Sequence, residues 1–159
     1  MRTRNRVTVL AAVALVIALA SPVVAQAATI YLNKGVSGAT LGMKDTTAAK
    51  KLGKVKKKYK DTSYDGTIWV RCFGTKSHGH YSLELYSNGS GKVTAFIVHA
   101  SKYVTKKGIH TGSSTAALKK AYGDSLDTSE SDYYKLSGSG GKTWFAMSGG
   151  KVAYIWIWK

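Results

Sequence analysis

A single cysteine, Cys72, denies this chain any internal disulfide, so its stability has to come from packing. Arginine is almost missing as well: past Arg2, Arg4 and Arg6, only Arg71 remains among the basic residues. Base readout in nucleic acids leans on arginine's bidentate fork, so the basic excess does not point to nucleic acid. Acidic residues number 8 against 24 lysines and arginines, and no spacing among them offers the paired carboxylates of acid–base catalysis. The serines of "TGSS" and "SGSGG" lack the setting of a nucleophile elbow and read as a helix cap and a turn. Cys72 falls on the side of Val70, where a buried, inert thiol is expected. A thiol hydrolase pairing Cys72 with His80 or His99 has no orienting residue to support it. His78-Gly79-His80 has no neighbouring carboxylate or cysteine pattern in the sequence, so no metal and no cofactor is expected.

What is present begins with an export signal over 1–27. Arg2, Arg4 and Arg6 precede the apolar run "VTVLAAVALVIALA", followed by Pro22 and the small-residue site Ala25-Gln26-Ala27. The run is shorter than the about 18–20 apolar residues of a membrane span. Cleavage after residue 27 is therefore expected, leaving a mature chain without a membrane span, secreted or held in a bacterial cell envelope. That chain keeps a charge of +13, from 24 Lys+Arg less the three signal arginines, against 8 acids. Such a charge attracts acidic partners over long range, and salt weakens the attraction.

Two stretches share one pattern. In "LGMKDTTAAKKLG" Gly53 lies 11 positions after Gly42, and in "GIHTGSSTAALKKAYG" Gly123 lies 11 positions after Gly112. Ser114 is placed to cap a helix from Thr115, with Leu118, Ala121 and Tyr122 on one face and Gly123 as its stop. The first copy has a weaker face of Ala48, Ala49 and Leu52, with Asp45 expected to cap. Three strand-like runs follow each helix: "TIWVRCF", "HYSLELYS" and "KVTAFIVH", then "DYYKLS", "KTWFAMS" and "KVAYIWIW". The last two of each set are joined by the turn segments "NGSG" and "GG". The expectation is an α+β fold of two tandem helix-plus-antiparallel-meander repeats, 28–106 and 107–159, forming one sheet with the helices on one face.

The "LGM"–helix–Gly unit followed by a meander resembles the tandem repeats of β-lactamase inhibitory proteins, and also the fold of small outer-membrane-assembly lipoproteins. The likeness spans most of 41–158. It implies an antiparallel sheet shared by both repeats and a concave aromatic face that grips an enzyme. The inhibitors carry disulfides and longer repeats, and the lipoproteins carry a lipidated cysteine; this chain has none of these.

Strand alternation sorts the faces independently of that likeness. A four-residue turn puts Leu83, Leu85, Phe96 and Val98 together, with Ser82, Glu84, Tyr86, Ala95, Ile97 and His99 opposite. A two-residue turn at Gly149-Gly150 groups Trp144, Ala146, Ile155 and Ile157 as core. It leaves Phe145, Met147, Val152, Tyr154, Trp156 and Trp158 outside.

The expected function is therefore noncatalytic recognition of an acidic protein partner, in the resemblance's terms an extracellular enzyme to be inhibited. The partner-binding residues are Phe145, Tyr154, Trp156, Trp158, Tyr86 and His99, since large rings with polar tips suit contact patches. The rival for those rings is cover by the N-terminal segment "TIYLNKGV" or by a second copy. The rival function is binding of an anionic cell-wall or surface polymer through Lys54, Lys56, Lys57, Lys58 and Lys60, read as a solvated helix end and loop.

Overall fold

Gly53 and Gly123 stop two short helices, α1 (Asp45–Leu52) and α2 (Thr115–Tyr122), and both adopt positive φ, 95° and 51°. That left-handed region costs glycine nothing. These elements belong to a computed structural model describing residues 28–62 and 66–159; the export signal expected over 1–27 lies outside the described residues. Ser114 Oγ accepts the Ala117 backbone N–H at 3.2 Å, as a helix cap does. In α1 the cap position belongs to Lys44, whose side chain makes no capping bond. Asp45 does not replace it. Its carboxylate turns inward to an ion pair with Arg71, whose Nε donates at 3.1 Å, and to Ser87 Oγ at 3.4 Å. The one arginine of the described residues thus serves structure, tying helix to sheet.

The strands in chain order are β1 (Ala28–Tyr31), β2 (Gly35–Val36), β3 (Ala39–Thr40), β4 (Val55–Asp61), β5 (Ile68–Ser77), β6 (His80–Ser87), β7 (Val93–Val98), β8 (Tyr103–Thr105), β9 (Tyr133–Gly138), β10 (Gly141–Ser148) and β11 (Lys151–Trp158). The protein is α+β and mostly sheet. Among the described residues an antiparallel sheet runs β4-β5-β6-β7-β11-β10-β9, and a smaller sheet runs β3-β2-β1-β8, with β1 parallel to β8. The second sheet corrects the expectation of one. Its strands are two to four residues long, too short for alternation to show in sequence.

The helices and the small sheet cover one face of the large one. Ile30, Val36, Ala48, Leu118 and Tyr122 share a buried core with Leu83, Leu85, Phe96, Val98, Ile155 and Ile157. The N-terminal "TIYLNKGV" segment therefore lies on the helix side, with Ile30 and Val36 in this core. Each helix is tethered by the same backbone bonds to a hairpin further along the chain, α1 to β6–β7 and α2 to β10–β11. Gly42 N–H donates to Val93 O at 2.7 Å and Gly112 N–H to Val152 O at 2.7 Å; Asp45 N–H donates to Gly91 O at 2.9 Å and Thr115 N–H to Gly150 O at 2.9 Å.

Past Lys54 the lysine run is no helix end or loop. It forms β4, an edge strand paired on one side only, to β5. Lysine along an edge blocks pairing with another chain, because the charge cannot be buried in a continued sheet.

A register shift in β10–β11 changes the face assignment. Ser148 pairs with Lys151 and Met147 with Val152, as a two-residue turn requires, but Ala146 pairs with Tyr154. Ala153 is the extra residue of a β-bulge, and beyond it every partner moves by one. Phe145 then pairs with Ile155 and is fully buried in the core. Trp144 pairs with Trp156 on the opposite face. The expectation of Phe145 as a partner-binding residue and Trp144 as core is thus reversed, and Val152 joins the core as well.

Candidate functional site

Directly paired residues share a face, so the register reads as rows crossing the side of the large sheet away from the helices. One row runs Lys135–Trp144–Trp156–Ile97–Glu84–Cys72–Lys57. The next runs Lys142–Trp158–Ala95–Tyr86–Val70–Tyr59. Small residues lie buried along this face: Ala95, Ala146, Val70 and Cys72 are all outside the helix-side core, and Ala95 lines the groove itself. Half-buried rings rise around them and frame an open groove of about 680 Å³.

The rings form a connected set. Trp144 meets Trp156 and Trp158 edge-on at centroid distances of 5.6 and 5.4 Å, and Trp156 stacks on Trp158 at 5.6 Å. Tyr133 packs on Trp144 at 5.6 Å and shares a 3.0 Å hydroxyl–hydroxyl bond with Tyr154. Burial and that bond push the Tyr154 hydroxyl up to about 12. His99 follows Tyr154 at 5.7 Å, and His80 stacks on His99 at 4.5 Å. Lysines rim the tryptophans, with Lys135 Nζ 4.9 Å from the Trp144 ring and Lys142 Nζ 5.0 Å from the Trp158 ring. The Nε1–H groups of Trp156 and Trp158 are buried and make no hydrogen bond among the described residues.

Of the expected partner-binding residues, Tyr154, Trp156, Trp158, Tyr86 and His99 come together in this groove. Phe145 does not. Trp144 and Tyr133 were missed, Trp144 because the bulge at Ala153 has no signature in an alternating strand, and Tyr133 because its run had no register to place it. Glu84 and Ser82 are buried rather than water-facing. Glu84 Oε2 accepts a 2.8 Å bond from the Tyr86 hydroxyl. Burial holds His99 below the ordinary histidine range, an effect that the charge of Glu84 opposes.

The five lysines of the polymer reading do not share one face. Lys57 points to the groove side, beside Tyr59 at 5.2 Å, while Lys58 and Lys60 face the other way, Lys58 Nζ lying 4.3 Å from the Trp69 ring. Lys56 sits at a register shift and Lys54 precedes the strand. Cys72 is buried, but on the groove side rather than beneath the helices. Burial, then the charge of Glu84, pushes its thiol up to about 11, which makes it a poor nucleophile at neutral pH.

Fold and face together define a class: a mixed α+β protein that covers one side of an antiparallel sheet with helices and presents an aromatic groove on the other. No protein-family model and no curated protein matches the chain. Among solved structures it is similar to the crystal structure of the uncharacterized protein YfeY from Escherichia coli. The TM-score is 0.54 at 15% sequence identity, over 80% of this chain and 97% of that one. At that identity the likeness is one of fold.

Proposed function

We propose that this chain is an exported, noncatalytic binding protein that receives a segment of an acidic protein partner in the aromatic groove. One observation carries the reading: Trp144, Trp156 and Trp158 cluster on the sheet face away from the helices, with two buried indole N–H donors unpaired among the described residues. Buried donors without partners are costly, and a peptide segment brings both carbonyl acceptors and apolar side chains to such a floor. Lys57 and Lys142 around the rim favour acidic side chains at the edge of that segment, Lys135 being already paired with Glu130. Inhibition of an extracellular enzyme is the form of this function that the resemblance to β-lactamase inhibitory proteins implies. Tandem duplication belongs to the same reading, supported by the matched tethers of α1 and α2 and by the meeting of the two meanders at β7 and β11.

The second reading, capture of an anionic polymer, draws on the exposure of Lys54, Lys56, Lys57, Lys58 and Lys60 along one edge. Their edge position already gives them a role in keeping the sheet from pairing. One experiment separates the readings. Proteins and wall polymers of the producing organism are passed over three immobilised forms: wild type, Trp156→Ala, and a variant with Lys54, Lys56, Lys57 and Lys58 changed to Gln. The groove reading predicts a protein retained by wild type and by the lysine variant but lost from Trp156→Ala. Polymer retention abolished only in the lysine variant, with a flattened salt dependence, would reverse the conclusion.

A further inference from the structure

At one end of the groove three chemically distinct side chains converge. His80 opens β6, Glu84 lies four residues on along the same face, and His99 follows directly after β7. Ser82, the small residue between the first two on that face, leaves room for His80 and Glu84 to lean together. The backbone bond from His99 N–H to Ser82 O, 3.0 Å, sets His99 across from that gap. One ligand-type atom from each of His80, Glu84 and His99 lies within 4.8 Å of the other two.

Two of these groups are left wanting by the chain itself. Glu84 is buried, its carboxylate takes a hydrogen bond from the Tyr86 phenol, and among the described residues no ion pair reaches it. A buried carboxylate with no cation beside it is expensive. His99 Nε2 is buried and has no hydrogen-bond partner among the described residues. A cation at their meeting point answers both. We propose that His80, Glu84 and His99 form a binding site for a divalent cation of the zinc type.

The donor set fits that ion. Two imidazoles and one carboxylate are a recurrent three-ligand arrangement for zinc, which leaves a fourth position for water or an incoming oxygen donor. Hard cations such as calcium ask for six or more oxygens, which the corner does not have. Ligands on one zinc ion stand about 3.4 Å apart, so the set has to close from its 4.8 Å spread. His80 supplies the movement: it is exposed, and its ring swings out of the stack on His99 to bring its lone pair toward the other two. The Tyr86 bond to Glu84 Oε2 is the kind of outer contact that holds a ligating carboxylate in place. His78 is not part of the set. It occupies the turn at φ 49° and bonds Ser77 Oγ at 2.9 Å. This site does not depend on what fills the aromatic end of the groove.

The test titrates the purified chain with zinc alone against a chromophoric chelator, and with cobalt alone for its visible absorption. His80→Ala removes an exposed side chain and leaves the core alone, so circular dichroism and melting should match wild type in the metal-free state. The expected result is one zinc per chain in wild type and in His78→Ala, with at least a hundredfold weaker binding in His80→Ala. The intense visible bands of low-coordinate cobalt should disappear in the same variant. No zinc bound by wild type, or His80→Ala binding within threefold of it, would overturn the assignment.

Discussion

Ile155 and Trp156 are neighbours on β11 that point in opposite directions, and truncating each in turn tests the face assignment. Ile155 is fully buried among Leu83, Phe96, Val98 and the helices. Its change to Ala leaves a cavity in a packed core and should cost about 2–5 kcal/mol. Trp156 is the larger side chain, yet its ring is half-buried and leans on Trp144 and Trp158, each at 5.6 Å. Aromatic pairs of this kind are worth about 0.5–1.5 kcal/mol each beyond area, so losing both costs about 1–3 kcal/mol on top of the apolar area that the half-buried ring covers. The prediction is that the larger truncation is not the more damaging: Trp156→Ala costs no more than Ile155→Ala. Urea unfolding followed by far-ultraviolet circular dichroism reads both variants on one scale, with unchanged m-values marking a pure stability effect. If Trp156→Ala proves the worse of the two, at the about 3–5 kcal/mol of a core aromatic, the rings are core and the groove reading fails.

The bulge at Ala153 makes Phe145→Ala cost about 3–5 kcal/mol in the same urea assay; a loss under about 1 kcal/mol would put Phe145 outside the core and place the register shift elsewhere. Ser114→Ala removes a bonded cap and should cost about 0.5–2 kcal/mol, whereas Lys44→Ala at the matching position of α1 should be close to neutral by thermal unfolding. With its thiol near 11, Cys72 is thiolate in about one molecule per thousand at pH 8. Iodoacetamide should therefore label it only after denaturation, and rapid native labelling would show an open floor.

Alternation and turn length made the pairing of β6 with β7 legible, because the inward Leu83, Leu85, Phe96 and Val98 are all apolar and no bulge interrupts them before Tyr86. The helices were legible from their glycines and from Ser114. The β10–β11 pairing was not, since "WFAM" is apolar on both faces and offers no polar marker to report a shift of one. β4 was hidden for a different reason. A lysine-rich stretch has low strand propensity, and its strand state comes from pairing with β5 rather than from its own residues. The convergence of His80, Glu84 and His99 was equally invisible, because it depends on β6 and β7 lying side by side.

The most direct test of the groove as the recognition surface is hydroxyl-radical footprinting of the chain free and bound to the partner it retains. Trp144, Trp156, Trp158 and Tyr154 lie on the groove face, while Trp69 pairs with Lys60 and Ser87 on the opposite one. The account predicts that binding protects the first four from oxidation and leaves Trp69 unchanged. Protection of Trp69, with the three groove tryptophans oxidised as in the free chain, would contradict it.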